Sequence, residues 1–334
     1  MVGEFIKDMD FFKNKKILIT GGVGFIGSTL AKKLIDSGAE ITLVDSLVPE
    51  YGGNLYNIID FEKDLRLNIS DVRDKYSFKY LIHGQDILFN LAGQTNHLSS
   101  MSDPFTDLEI NCSSQLSILE SCRQFNPGIK IIFASTRQIY GKPEYLPVDE
   151  HHVLRPVDVN GINKMAGEWY HILYNNVYGI RTCSLRLTNT YGPRMRIKDA
   201  NQTFLGIWIR LILEKKNFDV WGGKQLRDYT YVDDVVDAIL MVASNPASDG
   251  KIYNLGGLRN YNLIETAESL VKVNGGGNFI LKEFPPNRKA IDIGSFYCDY
   301  SLIKKELGWE PKVDLEEGFL KTLSYYSGVL NEYI

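Results

Sequence analysis

The sequence contains no run of about 18 apolar residues, the length a membrane span needs, and no long basic stretch. The first absence leaves no candidate membrane span. The second, with a net charge of −4, argues against nucleic acid or an anionic membrane surface as the main partner. Cysteine is scarce: Cys112, Cys122, Cys183 and Cys298 are scattered with no C-x-x-C pair. They signal neither a zinc site nor a disulfide framework. The first sixteen residues mix Glu4, Lys7, Asp8, Asp10 and Lys13 with aromatics, which is not the apolar core of a signal peptide. The expectation is a cytoplasmic protein. Internal repeats and low-complexity tracts are also missing. What remains is an ordinary globular composition, 44% apolar and 23% charged over 334 residues, enough for two domains or lobes.

Within that composition one stretch is distinctive. The apolar run Ile17-Leu18-Ile19 leads through Thr20 into Gly21-Gly22-Val23-Gly24-Phe25-Ile26-Gly27, and Ile26, Leu30 and Leu34 then recur at helical spacing. This is the layout of a strand, a tight turn and a helix N-terminus. The glycines allow the turn, a close backbone approach to a pyrophosphate and a close helix–strand contact, while the helix end faces the anion. A second strand, Ile41 to Val44, ends in Asp45, about 20 residues beyond the glycines, where a carboxylate accepts both hydroxyls of an adenosine ribose. It would repel a 2′-phosphate. NAD is therefore expected rather than NADP, with a structural turn and a surface Asp as the plain alternative.

Further strands are predicted at 64–69, with Asp71 just beyond it where such folds contact adenine, at 86–93 ending in the small residues Ala92 and Gly93, at 130–134 and at 181–187. Pro104 opens a helical segment to about Phe125, with Leu108, Cys112, Leu116 and Leu119 on one stripe, and a second long helix is predicted from Val159 to Val177. Strands alternating with helices give an α/β fold, a doubly wound parallel sheet with ligands at the carboxyl ends of its strands. Beyond Leu187 the pattern becomes irregular. The expected organisation is a dinucleotide-binding domain over 1–187, returning at about 229–257, and a smaller mixed α/β C-terminal substrate lobe over 188–228 and 258–334.

Several motifs in order, from about Lys16 to Leu320, resemble the extended short-chain dehydrogenase/reductase family of NAD-dependent nucleotide-sugar epimerases and dehydratases, a Rossmann-fold family. The segment Thr20 to Gly27 is similar to its cofactor loop, and Leu91-Ala92-Gly93 to its next cofactor-contacting turn; Asn111 resembles a helix asparagine that shapes the active site. Arg186 to Pro193 resembles the segment whose asparagine, here Asn189, holds the substrate diphosphate and whose proline, Pro193, lies by the cofactor. Arg227, in Arg227-Asp228-Tyr229-Thr230-Tyr231-Val232-Asp233-Asp234, and Arg288 match arginines that contact the nucleotide and its phosphates, and Leu307-Gly308-Trp309 begins a C-terminal signature. Two arginines and an amide can hold a diphosphate on a net-acidic protein. The plain alternative pairs Arg227 and Arg288 with Asp228 and Asp292 on the surface. The resemblance also implies a homodimer built on the two long helices, whose stripes could instead face only their own sheet.

In that family a tyrosine takes the proton from the sugar C4 hydroxyl as hydride leaves C4. A lysine four residues later assists it and binds the nicotinamide ribose, and a Ser or Thr bonds the same oxygen. Lys164 fits the lysine and Thr136 the hydroxyl, but the tyrosine's position is held by Asn160. An amide can orient a hydroxyl or a water and cannot act as the base. Arg137 and Gln138 replace the acidic pair that 4,6-dehydratases carry after the threonine, so that elimination is disfavoured. Three readings follow. In the first, the chain is a C4 epimerase or C4 oxidoreductase whose proton goes to a water held by Asn160 and Thr136, to Lys164 itself, or to a loop histidine, His151 or His152. In the second, Arg137 recognises an acidic, uronate-type sugar, unless it only pairs with Glu144 or Asp149. In the third, the chain binds NAD and a sugar nucleotide with little turnover.

Overall fold

Ile17, Leu18 and Ile19 are fully buried in strand β1 (Lys16–Thr20), which is apolar on both faces because helices cover both sides of its sheet. The computed structural model describes residues 9–200, 203–289 and 291–334, apart from the side chains of Pro49, Asn287 and Arg288. From β1 the chain runs through α1 (Phe25–Ile35), β2 (Glu40–Asp45), β3 (Arg66–Ile69), α2 (Lys75–Leu81) and β4 (Ile87–Asn90). Next come α3 (His97–Ser102), α4 (Pro104–Leu108), α5 (Ser114–Phe125), β5 (Lys130–Thr136), α6 (Val159–Tyr178) and β6 (Arg181–Leu187). The remaining elements bearing on the site are β7 (Asn189–Tyr191), α7 (Phe204–Leu213), β8 (Phe218–Trp221), β9 (Leu226–Tyr231), α8 (Val232–Ser244), β10 (Ile252–Leu255), β11 (Asn260–Asn262) and β12 (Phe279–Lys282).

Seven strands form one sheet in the order β10-β6-β5-β4-β1-β2-β3, every pair parallel. The order reverses between β1 and β4, and the crevice beyond their carboxyl ends is where a doubly wound sheet receives its ligand. Alternate residues feed two cores: Ile17, Ile19, Ile41 and Phe89 face one, and Leu18, Val44, Leu88 and Ile131 the other. After β6 the chain builds a three-stranded sheet, β11-β9-β7, and a two-stranded one, β12-β8, before β10 returns to pair with β6. Among the described residues no helix is long and apolar enough to cross a membrane, and the four cysteines are free thiols.

Two elements differ from the sequence reading. The strand at 86–93 ends at Asn90, because Leu91 and Ala92 turn away to donate their N–H groups to Thr20 Oγ1, each at 3.1 Å. The helical segment from Pro104 is interrupted by a π turn, Glu109–Ser113. There the Ile110 carbonyl accepts from Ser114 Oγ at 2.5 Å and from Gln115 Nε2 at 3.1 Å. The expected apolar stripe is not the buried face: Leu119 is fully buried with Ile118 and Cys122, whereas Leu108 and Leu116, before and after the π turn, are exposed. Behind the sheet, Arg186 of β6 reaches Glu168 of α6 at 2.6 Å, both side chains almost entirely buried, and donates to Tyr140 Oη at 2.6 Å.

Candidate active site

A cleft of about 1050 Å³ opens at the switch point and reaches both smaller sheets, the upper end of the roughly 300–1,000 Å³ usual for small-ligand sites. Gly21, Gly24, Phe25, Ile26 and Gly27 form its floor. Gly21 has φ +66°, and a Cβ on Gly27 would run into the Gly21 carbonyl, so the turn tolerates no side chain at either position. Gly24 leaves α1 without a side-chain cap, and its first turn carries no acid. Its N–H groups and dipole are thus free for an anion. Thr20 Oγ1 donates to Asn90 Oδ1 at 2.9 Å and, through the bonds already described, draws Leu91 and Ala92 to the same floor.

Asp45 closes the adenosine end. Its Oδ2 accepts from Val23 N and its Oδ1 from Leu47 N, both at 3.0 Å, leaving lone pairs for ribose hydroxyls. Burial pushes its pKa up against these bonds. Asp71 also lines the cleft; a two-point bond to Arg73 holds its carboxyl below the usual value. The uncapped helix, the cramped glycines and the available carboxylate fit a dinucleotide.

The opposite wall is the end of β5 with the first turns of α6. Thr136 lines it and accepts from Gln138 N at 3.2 Å. Lys164 is buried; its Nζ donates to Ala134 O at 3.0 Å and lies 4.9 Å from the Phe133 ring centroid. A Cβ on Gly93 would stand 2.9 Å from that nitrogen and 3.0 Å from Asn111 Oδ1, so the three residues converge. Burial pulls the Lys164 pKa down to about 8, opposed by Asp107. Asn160 is 2% exposed. Its Nδ2 donates to Gln94 O at 2.8 Å and to Asp107 Oδ2 at 3.0 Å. Asp107 also accepts from Asn111 and Asn163, so this fully buried carboxylate is held by three amides. With its amide nitrogen turned into the protein, Asn160 has only its carbonyl oxygen to offer a ligand.

At the far end, Arg137 Nη2 donates to Asn189 Oδ1 at 3.0 Å, and the guanidinium lies 5.4 Å from the Phe296 ring centroid. Burial, with Arg227 nearby, draws its pKa down to about 10. It does not pair with Glu144 or Asp149, which bond to Arg155 and Tyr145. Arg227 does meet Asp292, at 3.3 Å, but both line the cleft and Arg227 is buried, unlike the surface pair considered from sequence. Arg288 belongs to the short helix Pro286–Lys289, and its side chain lies outside the described residues. Pro193 does not line the cleft. Pairing of β7 with β9 carries the chain past it to where Arg194 O and Met195 O accept from Asn57 and Tyr326.

Neither loop histidine reaches the site. His151 is exposed; His152 is buried against Tyr140 and Tyr145, with Nε2 accepting from Glu144 N and Nδ1 facing Val153 O. The histidine that lines the cleft is His97, its Nδ1 3.0 Å from Asp158 Oδ2, and no motif marked either residue. Buried polar atoms that make no hydrogen bond line the same cleft: His97 Nδ1, whose approach to Asp158 is short but poorly aligned, with Ser135 Oγ, Arg137 Nη1, Thr190 Oγ1 and Gln225 Oε1. Such atoms call for a polar ligand or water.

The chain is similar to the UDP-glucose 4-epimerase of Thermotoga maritima, solved with UDP-glucose: 30% identity and a TM-score of 0.86, covering 94% of this chain and 99% of that one. It is 28% identical to the UDP-glucose 4-epimerase of Mycolicibacterium smegmatis, over 93% of this chain and 98% of that protein. It is 29% identical to UDP-glucuronic acid decarboxylase 1 of Xenopus tropicalis, over 99% of this chain and 77% of that protein. Residues 17–256 match the NAD dependent epimerase/dehydratase family. The chain therefore belongs to that family, and its cofactor is NAD.

Proposed function

We propose that the protein is an NAD-dependent nucleotide-sugar epimerase or C4 oxidoreductase. The observation that carries this reading is the meeting, in one cleft, of the glycine floor and Asp45, of Thr136 with Lys164, and of Arg137, Asn189 and Arg227. Bound NAD supplies a reversible hydride acceptor. The floor and the α1 N-terminus hold its pyrophosphate, Asp45 the adenosine ribose, and Asp71 lies by the adenine. Leu91, Ala92 and Gly93 lie along the dinucleotide, and Lys164 takes the nicotinamide ribose. Asn189, Arg227 and Arg288 bind the sugar-nucleotide diphosphate by charge-assisted bonds, and Thr136 and the Asn160 carbonyl orient the reacting hydroxyl.

A panel of UDP-, GDP-, CDP- and dTDP-sugars tests the reading. The expected result is interconversion of C4 epimers by NMR, or NADH appearing on the enzyme. Tight binding with neither would replace it with a binding protein of little turnover. A second reading, an acidic sugar, is favoured by the unpartnered Nη1 of Arg137, one residue from Thr136. There Arg137→Met should abolish activity on UDP-glucuronic acid and spare UDP-glucose; equal loss on both would place Arg137 at the diphosphate instead. The reading includes a homodimer, supported by apolar stripes left exposed on the long helices: Phe105, Leu108 and Leu116 on one, Ile162, Trp169, Leu173 and Val177 on the other.

A further inference from the structure

A C4 oxidation needs a group that accepts the hydroxyl proton, and the amide of Asn160 cannot be that group. The ionisable side chains lining the cleft fall into three places. Asp45, Asp71 and Tyr51 stand at the adenosine end; the floor separates them from Thr136. Asp219, Arg227 and Asp292 lie among the smaller sheets with Arg137. Lys164 and His97 remain: Lys164 shares α6 with Asn160, and His97 meets Asp158 at the N-terminus of that helix. Lys164 is buried, and its Nζ already donates to Ala134 O. His97 is 39% exposed at its side chain, and its Nε2 has no protein partner among the described residues.

His97 is also held as a base should be. Asp158 is the N-cap of α6, its Oδ1 accepting from Gly161 N at 2.7 Å and its Oδ2 from Gln138 Nε2 at 2.8 Å, so the carboxylate is fixed relative to Asn160 and Lys164 on the same helix. Its Oδ2 lies 3.0 Å from His97 Nδ1, a short but bent approach of the kind that tightens when a ligand binds. From the other side, Ser100 Oγ donates to His97 O at 2.7 Å and accepts from Asn160 N at 3.3 Å. The histidine's backbone is thereby tied to the turn that carries position 160.

We propose that His97, oriented by Asp158, is the proton acceptor of the reaction, acting from α3 in place of an ionisable group at position 160. The inference rests on the C4 reading above. In the forward step the hydroxyl O–H bond breaks and its proton bonds to neutral Nε2. The C4–H electron pair would pass as hydride to NAD held on the glycine floor, leaving C4 as a carbonyl. The reverse step returns both. Ionised Asp158 faces Nδ1–H and stabilises the imidazolium as it forms. The charged groups on the helices packed against α3 are Asp103 and Asp107 at α4 and Asp158, Lys164 and Glu168 at α6; Glu168 is taken by Arg186, and Asp158 is the one in contact with the imidazole.

His97→Gln and Asp158→Asn test the assignment on the holoenzyme. His97→Gln should lower kcat by roughly 10²–10⁴-fold, abolish the acidic limb of the pH–rate profile, and leave NAD content and sugar-nucleotide affinity within a few fold. By NMR, Asp158→Asn should move the His97 imidazole ring resonances, a readout that needs no turnover. A wild-type enzyme that turns over, with His97→Gln equally fast and its profile unchanged, would overturn the assignment and leave the C4 reading standing. A wild type inert toward every sugar nucleotide would overturn both.

Discussion

Lys164 carries a buried charge whose only hydrogen bond among the described residues is to a backbone carbonyl, and this has a thermodynamic signature. Its folded pKa, drawn by burial to about 8, lies below its ordinary 10.5. Between these values the unfolded chain holds more protons than the folded one, so stability rises with pH across the window; below about 8 the full penalty applies. Relative to Lys164→Met, the native protein should lose stability as pH falls from 10.5 to 8 and then run parallel, as read by urea unfolding at successive pH values. Lys164→Met should also weaken NAD retention. Lys164 and Thr136 were legible in the sequence because each sits in a motif with fixed spacing. His97 was not, because its partner Asp158 is distant in the chain and only the packing of α3 on α6 brings them together.

The long helices show what periodicity can and cannot deliver at the scale of an element. The strand–turn–helix at Ile17 to Leu34 was readable because turn chemistry and apolar spacing agree there. The segment from Pro104 was readable as helix, but not its π turn, since one extra residue leaves the apolar count intact while changing which face each side chain occupies. On α6, Ile162, Trp169, Leu173 and Val177 form a single outer stripe, with Trp169 54% and Leu173 48% exposed. If a second copy covers it, Trp169→Glu with Leu173→Glu should convert a dimer to a monomer in sedimentation velocity while far-UV circular dichroism stays native. An unchanged sedimentation coefficient would remove this face from the interface.

For the molecule as a whole, the sheet is shared by two cores, and the Arg186–Glu168 pair joins β6 to α6 beneath the cleft. Removing one partner of a buried pair leaves the other charge uncompensated. Glu168→Ala should therefore cost about 3–5 kcal/mol in urea unfolding, whereas the double change Glu168→Leu with Arg186→Met should cost far less. The parallel sheet itself was legible from alternating strands and helices. The placing of β7, β9 and β11 in a separate sheet was not, because strands of three to six residues carry too few side chains to reveal their partners.

The π turn sets one further condition on this molecule, which concerns phase. Each residue advances a helix by about 100°, so the extra residue within Glu109–Ser113 offsets α5 against α4. On one side of that offset Asp107 and Asn111 stay joined beneath Asn160; on the other, Gln115 accepts from Asn90 at 2.6 Å while Leu116 remains outside. Deleting a single residue there would restore ordinary pitch and rotate everything downstream, so that wall and outer face could no longer both be correct. Insertions and deletions usually spare helices and accumulate in loops; in this helix, one residue more or fewer is a choice between two different surfaces.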